Sequence, residues 1–237
     1  MATTFRYPTG ARPLLVEETA RRRRIETRIV SSLEDAGFAE VVLPIIDFAE
    51  PYAGVTANDA RQSYRFTDRD GELVAVRSDF TPMVARALAP SLDERNLPLR
   101  VFYRGDVIRC EASRLGSNRE LFQIGAELIG DASAEADVEL LQIAASLVEN
   151  ALVVYSVIGS VERDDELQRA LASDARFVRH DSDDTDAGYY TGLRFWLYAA
   201  DRRTLLAQGG RYDALYARFG YAAPAVGFTL TVDALED

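Results

Sequence analysis

Apolar residues recur at helical spacing over 15–36, where Leu15, Ile25, Ile29, Val30 and Leu33 form one stripe. Gly37 follows as a stop, so the spacing predicts a helix there. The next stretch, FAEVVLPIIDFAEPY, predicts a strand interrupted by Pro44. A proline has no ladder donor and belongs at an edge or a bulge. SYRFTDRDGELVAVRSD alternates on both sides of Asp70-Gly71, the pattern of a hairpin. Residues 80–89 predict a helix stopped by Pro90. RVFYRGDVIRC and NRELFQIGAELIG predict two strands joined by a short polar loop. Asp131 is expected to N-cap an amphipathic helix reaching Glu149, with Val138, Leu141, Ala145 and Val148 on one face. ALVVYSVIGS, YYTGLRFWLYA, TLLAQGG and AVGFTLTV predict further strands, and 211–216 a helix start. The stretch 164–186 is polar and acidic. Neighbouring strands with helices between them predict an α+β fold around a mainly antiparallel sheet.

Composition then narrows the function. The chain has 237 residues, 48% hydrophobic and 27% charged, an ordinary globular balance and one domain's worth of length. Its net charge of −11 argues against nucleic acid and anionic membranes, both of which reward positive surfaces. There is no lysine; every basic side chain is arginine. This excludes Schiff-base chemistry, a lysine base and a P-loop lysine, and coding bias explains it most simply. A single cysteine, Cys110, excludes an intrachain disulfide, and a single histidine, His180, argues against a Ser-His-Asp triad or a histidine-rich metal site. MATTFRYPTGARP has no apolar core and no apolar run approaches a membrane span, so a cytoplasmic protein is expected.

Candidate chemistry concentrates in a few places. Gln123, Gly125 and Glu127 fall at period two, opposite the apolar face Phe122, Ile124, Ala126 and Leu128. They present an amide and a carboxylate either to a cleft or to plain solvent, and a glutamate there pairs with a cationic ring or ammonium. Arg109 ends the preceding strand, where a guanidinium clamps a carboxylate or phosphate, or simply pairs with Glu111 on the surface. In RSDFTP, Asp79 and Thr81 stand at a strand-to-helix junction, as helix caps or as holders of a ligand ammonium. QGGRYD is expected to be a Gly-Gly turn with Arg211 at a helix N-terminus. Tyr189-Tyr190 opens a strand.

Each signal alone is ordinary, but their order resembles the catalytic core of class II aminoacyl-tRNA synthetases, specifically the histidyl branch, over about 11–235. GFAEVVLPIID resembles motif 1, the family's dimer interface, with Pro44 as its proline. VFYRGDVIRCEASRLGSNRELFQIGAELIG resembles motif 2, with Arg109 and Glu111 at its arginine and glutamate. VRSDFT is similar to the segment that binds the amino acid's ammonium, with Asp79 where the family has glutamate. Gln123 and Glu127 fall on histidine-binding positions. GYYTGLRF and QGGRYDAL resemble the two histidine-specific motifs, with Tyr190 and Tyr212 at the side-chain pocket, and AVGFTLTVDAL resembles motif 3. The resemblance implies a six- to seven-stranded, mainly antiparallel sheet flanked by helices.

Departures from that pattern redirect the function. The catalytic arginine four residues before the tyrosine pair is Thr185 here, and the motif 3 arginine that contacts ATP phosphates is Ala234. Adenylate formation needs cations against the charge developing on the phosphates. The resemblance therefore implies the regulatory subunit of ATP phosphoribosyltransferase: a histidyl-synthetase core without catalysis, paired with the short-form catalytic subunit in histidine biosynthesis. It implies a histidine site made of Asp79, Thr81, Arg109, Gln123, Glu127, Tyr190 and Tyr212, with histidine as an allosteric ligand, no other cofactor and no metal. It also implies self-association through the region around Pro44, no tRNA, no anticodon-binding domain and no membrane. A single domain over 1–237 is expected, with the family's insertion reduced to a minimal loop or small excursion over 153–186. The alternatives are a stand-alone synthetase-like enzyme activating histidine or another amino acid, and a structural interaction module with a vestigial pocket.

Overall fold

The computed structural model describes residues 7–55, 63–110, 118–181 and 188–235. Thr185 and Glu111 lie outside the described residues. The first helix, α1 (Val16–Asp35), buries Ile25, Ile29 and Leu33 of the predicted stripe, while Val30 is partly buried and Leu15, just before the helix, is exposed. Its first turn carries Glu17 and Glu18, which suit the positive end of the helix dipole.

The segment around Pro44 differs from the expected interrupted strand. It divides into β1 (Ala39–Glu40) and β2 (Ile46–Phe48), which belong to two separate sheets. Pro44 sits at the crossing, where its missing donor costs nothing. The hairpin at Asp70-Gly71 forms as β3 (Arg65–Thr67) and β4 (Leu73–Val76), with Gly71 at φ 88°. With β2 they make a three-stranded sheet of order β2-β4-β3. Next comes α2 (Thr81–Leu88), which accepts Pro82 in its first turn because no donor is needed there.

The main sheet has eight strands among the described residues, more than the six or seven expected. It contains β1, β5 (Leu99–Ile108), β6 (Glu120–Ile129), β7 (Leu152–Val157), β8 (Phe177–Arg179), β9 (Leu193–Tyr198), β10 (Leu205–Arg211) and β11 (Ala225–Thr231). Their order is β1-β5-β6-β11-β10-β9-β7-β8. Only the two terminal pairs, β1 with β5 and β7 with β8, run parallel. The five inner pairings are antiparallel, as the pattern predicts.

Two expectations about helices are corrected. α3 (Ala134–Ser146) is capped by Ser133, whose Oγ accepts from the Ala136 amide at 3.2 Å, and it stops short of Glu149. Asp131 instead accepts from the Ser133 amide and hydroxyl, and so holds the cap. The stretch expected as a minimal loop or small excursion contains α4 (Val161–Leu171) and β8, which extends the main sheet beside β7. Its apolar residues Leu167 and Leu171 are sparse, yet both are buried. No helix starts at Arg211: that residue ends β10, and only a 3-10 turn follows at Tyr216–Phe219.

Each face of the main sheet carries its own core. α1, α3 and α4 cover one face over Ile124, Ala126, Leu128, Phe195 and Phe228. α2 and the Tyr216 turn cover part of the other, over Val101, Tyr103, Val107 and Ile129. No described helix is long and apolar enough to cross a membrane.

One buried ion cluster ties the helical layer to the sheet. Arg211 reaches from β10 to Asp137 of α3 at 2.7 Å and donates to the carbonyls of Asp131 and Ser133. Arg163 of α4 meets the other Asp137 oxygen at 2.5 Å. Asp137 is fully buried, and burial, only partly offset by the two guanidinium groups, pushes its pKa up. Asp137→Ala removes the fully buried counter-ion of Arg211 and leaves it the partly exposed Asp213, at 3.0 Å. It is expected to lower unfolding free energy by about 3–5 kcal/mol, read from urea denaturation.

Candidate functional site

The alternation of β6 sends Gln123, Gly125 and Glu127 to the face opposite the three helices, as the period of two requires. That face is not open to water: Gln123 is 6% exposed and Glu127 0%. The antiparallel register sets Gly227 and Gly210 beside Glu127, and Thr229 and Gln208 beside Gly125.

Other elements close over this floor. β5 contributes Tyr103, opposite Gly125, and just past its end Arg109. The residues leading into α2 bring Asp79 and Thr81. Neither caps that helix through its side chain: Phe80 is the cap residue, Asp79 accepts from the Thr81 amide at 3.1 Å, and the Thr81 hydroxyl points into the site. Tyr189 and Tyr190 precede β9, and Tyr212 follows β10. The three tyrosine rings form a corner, with centroids 4.9, 5.6 and 6.3 Å apart.

Six of the seven residues expected from the sequence line one cleft: Asp79, Thr81, Arg109, Gln123, Tyr190 and Tyr212. The seventh, Glu127, lies directly behind it. Its Oε1 accepts from the Thr81 hydroxyl at 2.9 Å and the Tyr103 hydroxyl at 3.3 Å, and its Oε2 from Tyr212. Tyr103 also meets the Thr229 hydroxyl at 2.7 Å. The cleft holds a space of about 20 Å³, the scale of a water and not of an amino acid. A ligand enters only if the tyrosine corner or the 79–81 segment shifts.

Burial dominates the electrostatics. It pushes the Glu127 carboxyl well above the usual range; Asp79 adds to this and the Thr81 and Tyr103 donors oppose it. Tyr189 and Tyr190 are raised by burial first and by the nearby Asp79 next. The Arg109 Nε is buried and has no hydrogen-bond partner among the described residues, which suits it to an incoming acceptor. The set offers carboxylates for an ammonium or a ring cation, aromatic faces for a flat group, and a guanidinium for a carboxylate. No cluster of metal-ligating side chains occurs among the described residues.

Sequence reasoning missed Tyr103 and Thr229, and it named Tyr189 and Gln208 only within their motifs, without a place in the site. The signal for Tyr103 is its pairing with Gly125, since a side chain at 125 would collide with the tyrosine hydroxyl. Gly227 is constrained in the same way, because a Cβ there would overlap the Glu127 carboxylate and the Tyr212 hydroxyl. QGG is thus not the expected turn but part of β10. Arg211 points away from the cleft, to Asp137. Ala234 lies in a 3-10 turn, Val232–Ala234, against the helical-side core. Larger grooves of about 510 and 720 Å³ flank α1, but several of their charges are already paired, Arg22 with Asp233 and Arg23 with Glu26.

Comparison with known proteins agrees with this architecture. The sequence model of the histidyl-tRNA synthetase family matches residues 10–176 and 161–235, two stretches that overlap across α4. An ATP phosphoribosyltransferase regulatory subunit from Moorella thermoacetica is 29% identical, covering 98% of this chain and 81% of that protein. One from Bacillus velezensis is 26% identical, covering 98% and 80%. The Moorella alignment runs over 315 positions against 237 residues here, so that relative carries residues this chain lacks. Among solved structures, one described as an ATP phosphoribosyltransferase regulatory subunit/histidyl-tRNA synthetase from Bacillus halodurans superposes with a TM-score of 0.86 at 22% identity, covering 100% of this chain and 85% of that one. The apo histidyl-tRNA synthetase of S. aureus gives 0.82 at 21%, covering 97% and 68%. With its tyrosine corner, its motif 2-like strand pair and this profile match over nearly its whole length, the chain belongs to the histidyl-tRNA synthetase family.

Proposed function

We propose that the chain is a non-catalytic regulatory subunit of ATP phosphoribosyltransferase, acting with a short-form catalytic subunit and making the complex sensitive to histidine. The observation that carries this reading is the name shared by relatives aligned over 98% of the chain. The cleft supports it, because it keeps groups suited to an amino acid while the motif 3-like segment has Ala234 in place of a phosphate-binding arginine. The net charge of −11 disfavours tRNA.

In this reading Asp79 and Thr81 hold the ligand's ammonium, and Glu127, Tyr190 and Tyr212 hold its imidazole. Gln123 and Arg109 serve the carboxylate. Histidine inhibits because it binds one quaternary state more tightly than another, which shifts the population toward that state. No further cofactor is involved. The whole chain forms one synthetase-like domain, and the family's insertion is reduced to α4 and β8. The break and restart of the profile match within 161–176 supports that location.

Self-association through the region around Pro44 completes the proposal. Val42 is 88% exposed there, and Ile46 and Phe48 about half. Phe48 shares a row with Val74 and the exposed Phe66, so the small sheet presents an apolar face. Such a face is costly in water and favours a partner.

The chain is expected to raise the activity of a short-form catalytic subunit on reconstitution, and histidine to suppress that activity. Glu127→Ala is expected to weaken the suppression about tenfold or more, the scale of a lost hydrogen bond to a charged group. Clear ATP–pyrophosphate exchange with histidine would overturn the non-catalytic assignment in favour of an amino-acid-activating enzyme. Replacing both Ile46 and Phe48 by Asp is expected to shift the chain from dimer to monomer in sedimentation velocity.

A further inference from the structure

The Glu127 carboxyl group has an environment that the histidine reading leaves unused. Among the described residues, its hydrogen-bond partners are all neutral hydroxyl donors: Thr81 from the start of α2, Tyr103 from β5 and Tyr212 after β10. The other ionisable groups facing it are Asp79 before α2, Tyr189 and Tyr190 before β9, and Tyr216 in the following turn. Tyrosines are neutral at physiological pH and Asp79 is acidic, so none of them supplies a positive charge. Arg109 is the one basic residue in the cleft wall among the described residues; the guanidinium of Arg194 lies over the Tyr190 ring, 5.4 Å from its centroid, and neither cation is among the groups that act on the Glu127 carboxyl. Gly227 lies directly under the carboxyl, so no side chain of β11 reaches it either. A fully buried carboxylate without a cation is expensive, and the group relieves that cost by keeping its proton.

We propose that Glu127 is a neutral carboxylic acid in the free cleft, and that it shares a single proton with the ligand's ring once an imidazole is bound. This rests on the reading of the cleft as a histidine site. When neutral imidazole enters, the Glu127 O–H bond breaks as a ring N–H bond forms, giving an imidazolium–carboxylate pair with no exchange with solvent. When imidazolium enters, ligand and protein bring two protons to a site that keeps one, and the other leaves to water. The raised pKa of Glu127, caused first by burial, accords with this geometry. Histidine binding is then weakened by acid through proton release, in addition to any effect of acid on the fold.

Isothermal titration of histidine into the full chain, in buffer pairs of differing ionisation enthalpy, tests this. With a free imidazole pKa of about 6.5, release of about one proton is expected at about pH 5.5, and none at about pH 8. The mirror pattern, no release at the lower pH with uptake at the higher, would mean that Glu127 is already ionised, and would overturn the proposal. Heat with no buffer dependence at either pH would also overturn it while leaving the histidine site standing. Absence of heat in every buffer would overturn the site reading and the proposal together. Infrared spectra at neutral pH assign the proton. A protonated-carboxyl band is expected in the free wild-type chain and is expected to be missing in Glu127→Gln; equal absence from both would count against Glu127 as the acid.

Discussion

A carboxyl group sealed from water must be satisfied by whatever the surrounding elements bring, and Glu127 draws on three of them. Thr81 comes from the start of α2, Tyr103 from β5 and Tyr212 from the end of β10. These segments are far apart in sequence, yet Thr81 and Tyr103 meet at one carboxyl oxygen and Tyr212 takes the other. The tyrosine corner, the small volume of the cleft and the glycine beneath the carboxyl are all consequences of fitting three hydroxyls around one acid. Buried polar groups of this kind are high-stakes, because one lost partner exposes the others to the full cost of desolvation.

The same segment that carries Thr81 is fastened to the region around Pro44. The buried Arg77 donates to the carbonyls of Leu43 at 3.0 Å, Pro44 at 3.3 Å and Asp106 at 2.9 Å. Its guanidinium also lies 4.1 Å from the Phe80 ring, which stacks on Tyr103 at 4.4 Å. A short path of packed groups thus runs from the cleft to the apolar face of the small sheet. Contiguity of this kind is a physical route for coupling, though only a measured coupling energy makes it an allosteric one.

Much of this was legible in the sequence. Period-two alternation in β6 identified which side chains share the cleft face, and the helical stripe of α1 was plain. What the sequence hid was set by long-range pairing. Pro44 reads as a flaw in one strand, but no local pattern says that the two halves join different sheets. Ser133 and Asp131 are both good caps, and only the geometry of the loop chooses between them. α4 is mostly charged, so its two buried leucines gave too faint a period. Arg211 follows two glycines and reads as a turn residue, because its partner Asp137 is 74 residues away. Tyr103 is fully buried among apolar neighbours, and only the pairing of β5 with β6 shows that its hydroxyl serves the carboxyl on the next strand.

Arg211 and Tyr212 are neighbours that serve opposite sides of the sheet. One side chain anchors the helical layer and the other closes the cleft. The backbone between them therefore answers to two demands at once. Drift that would reshape the cleft must leave the arginine seated, so selection for folding alone preserves much of the tyrosine's position. A cleft built on such a dipeptide is slow to erode, because reshaping it means unseating an ion pair on the far side of the sheet.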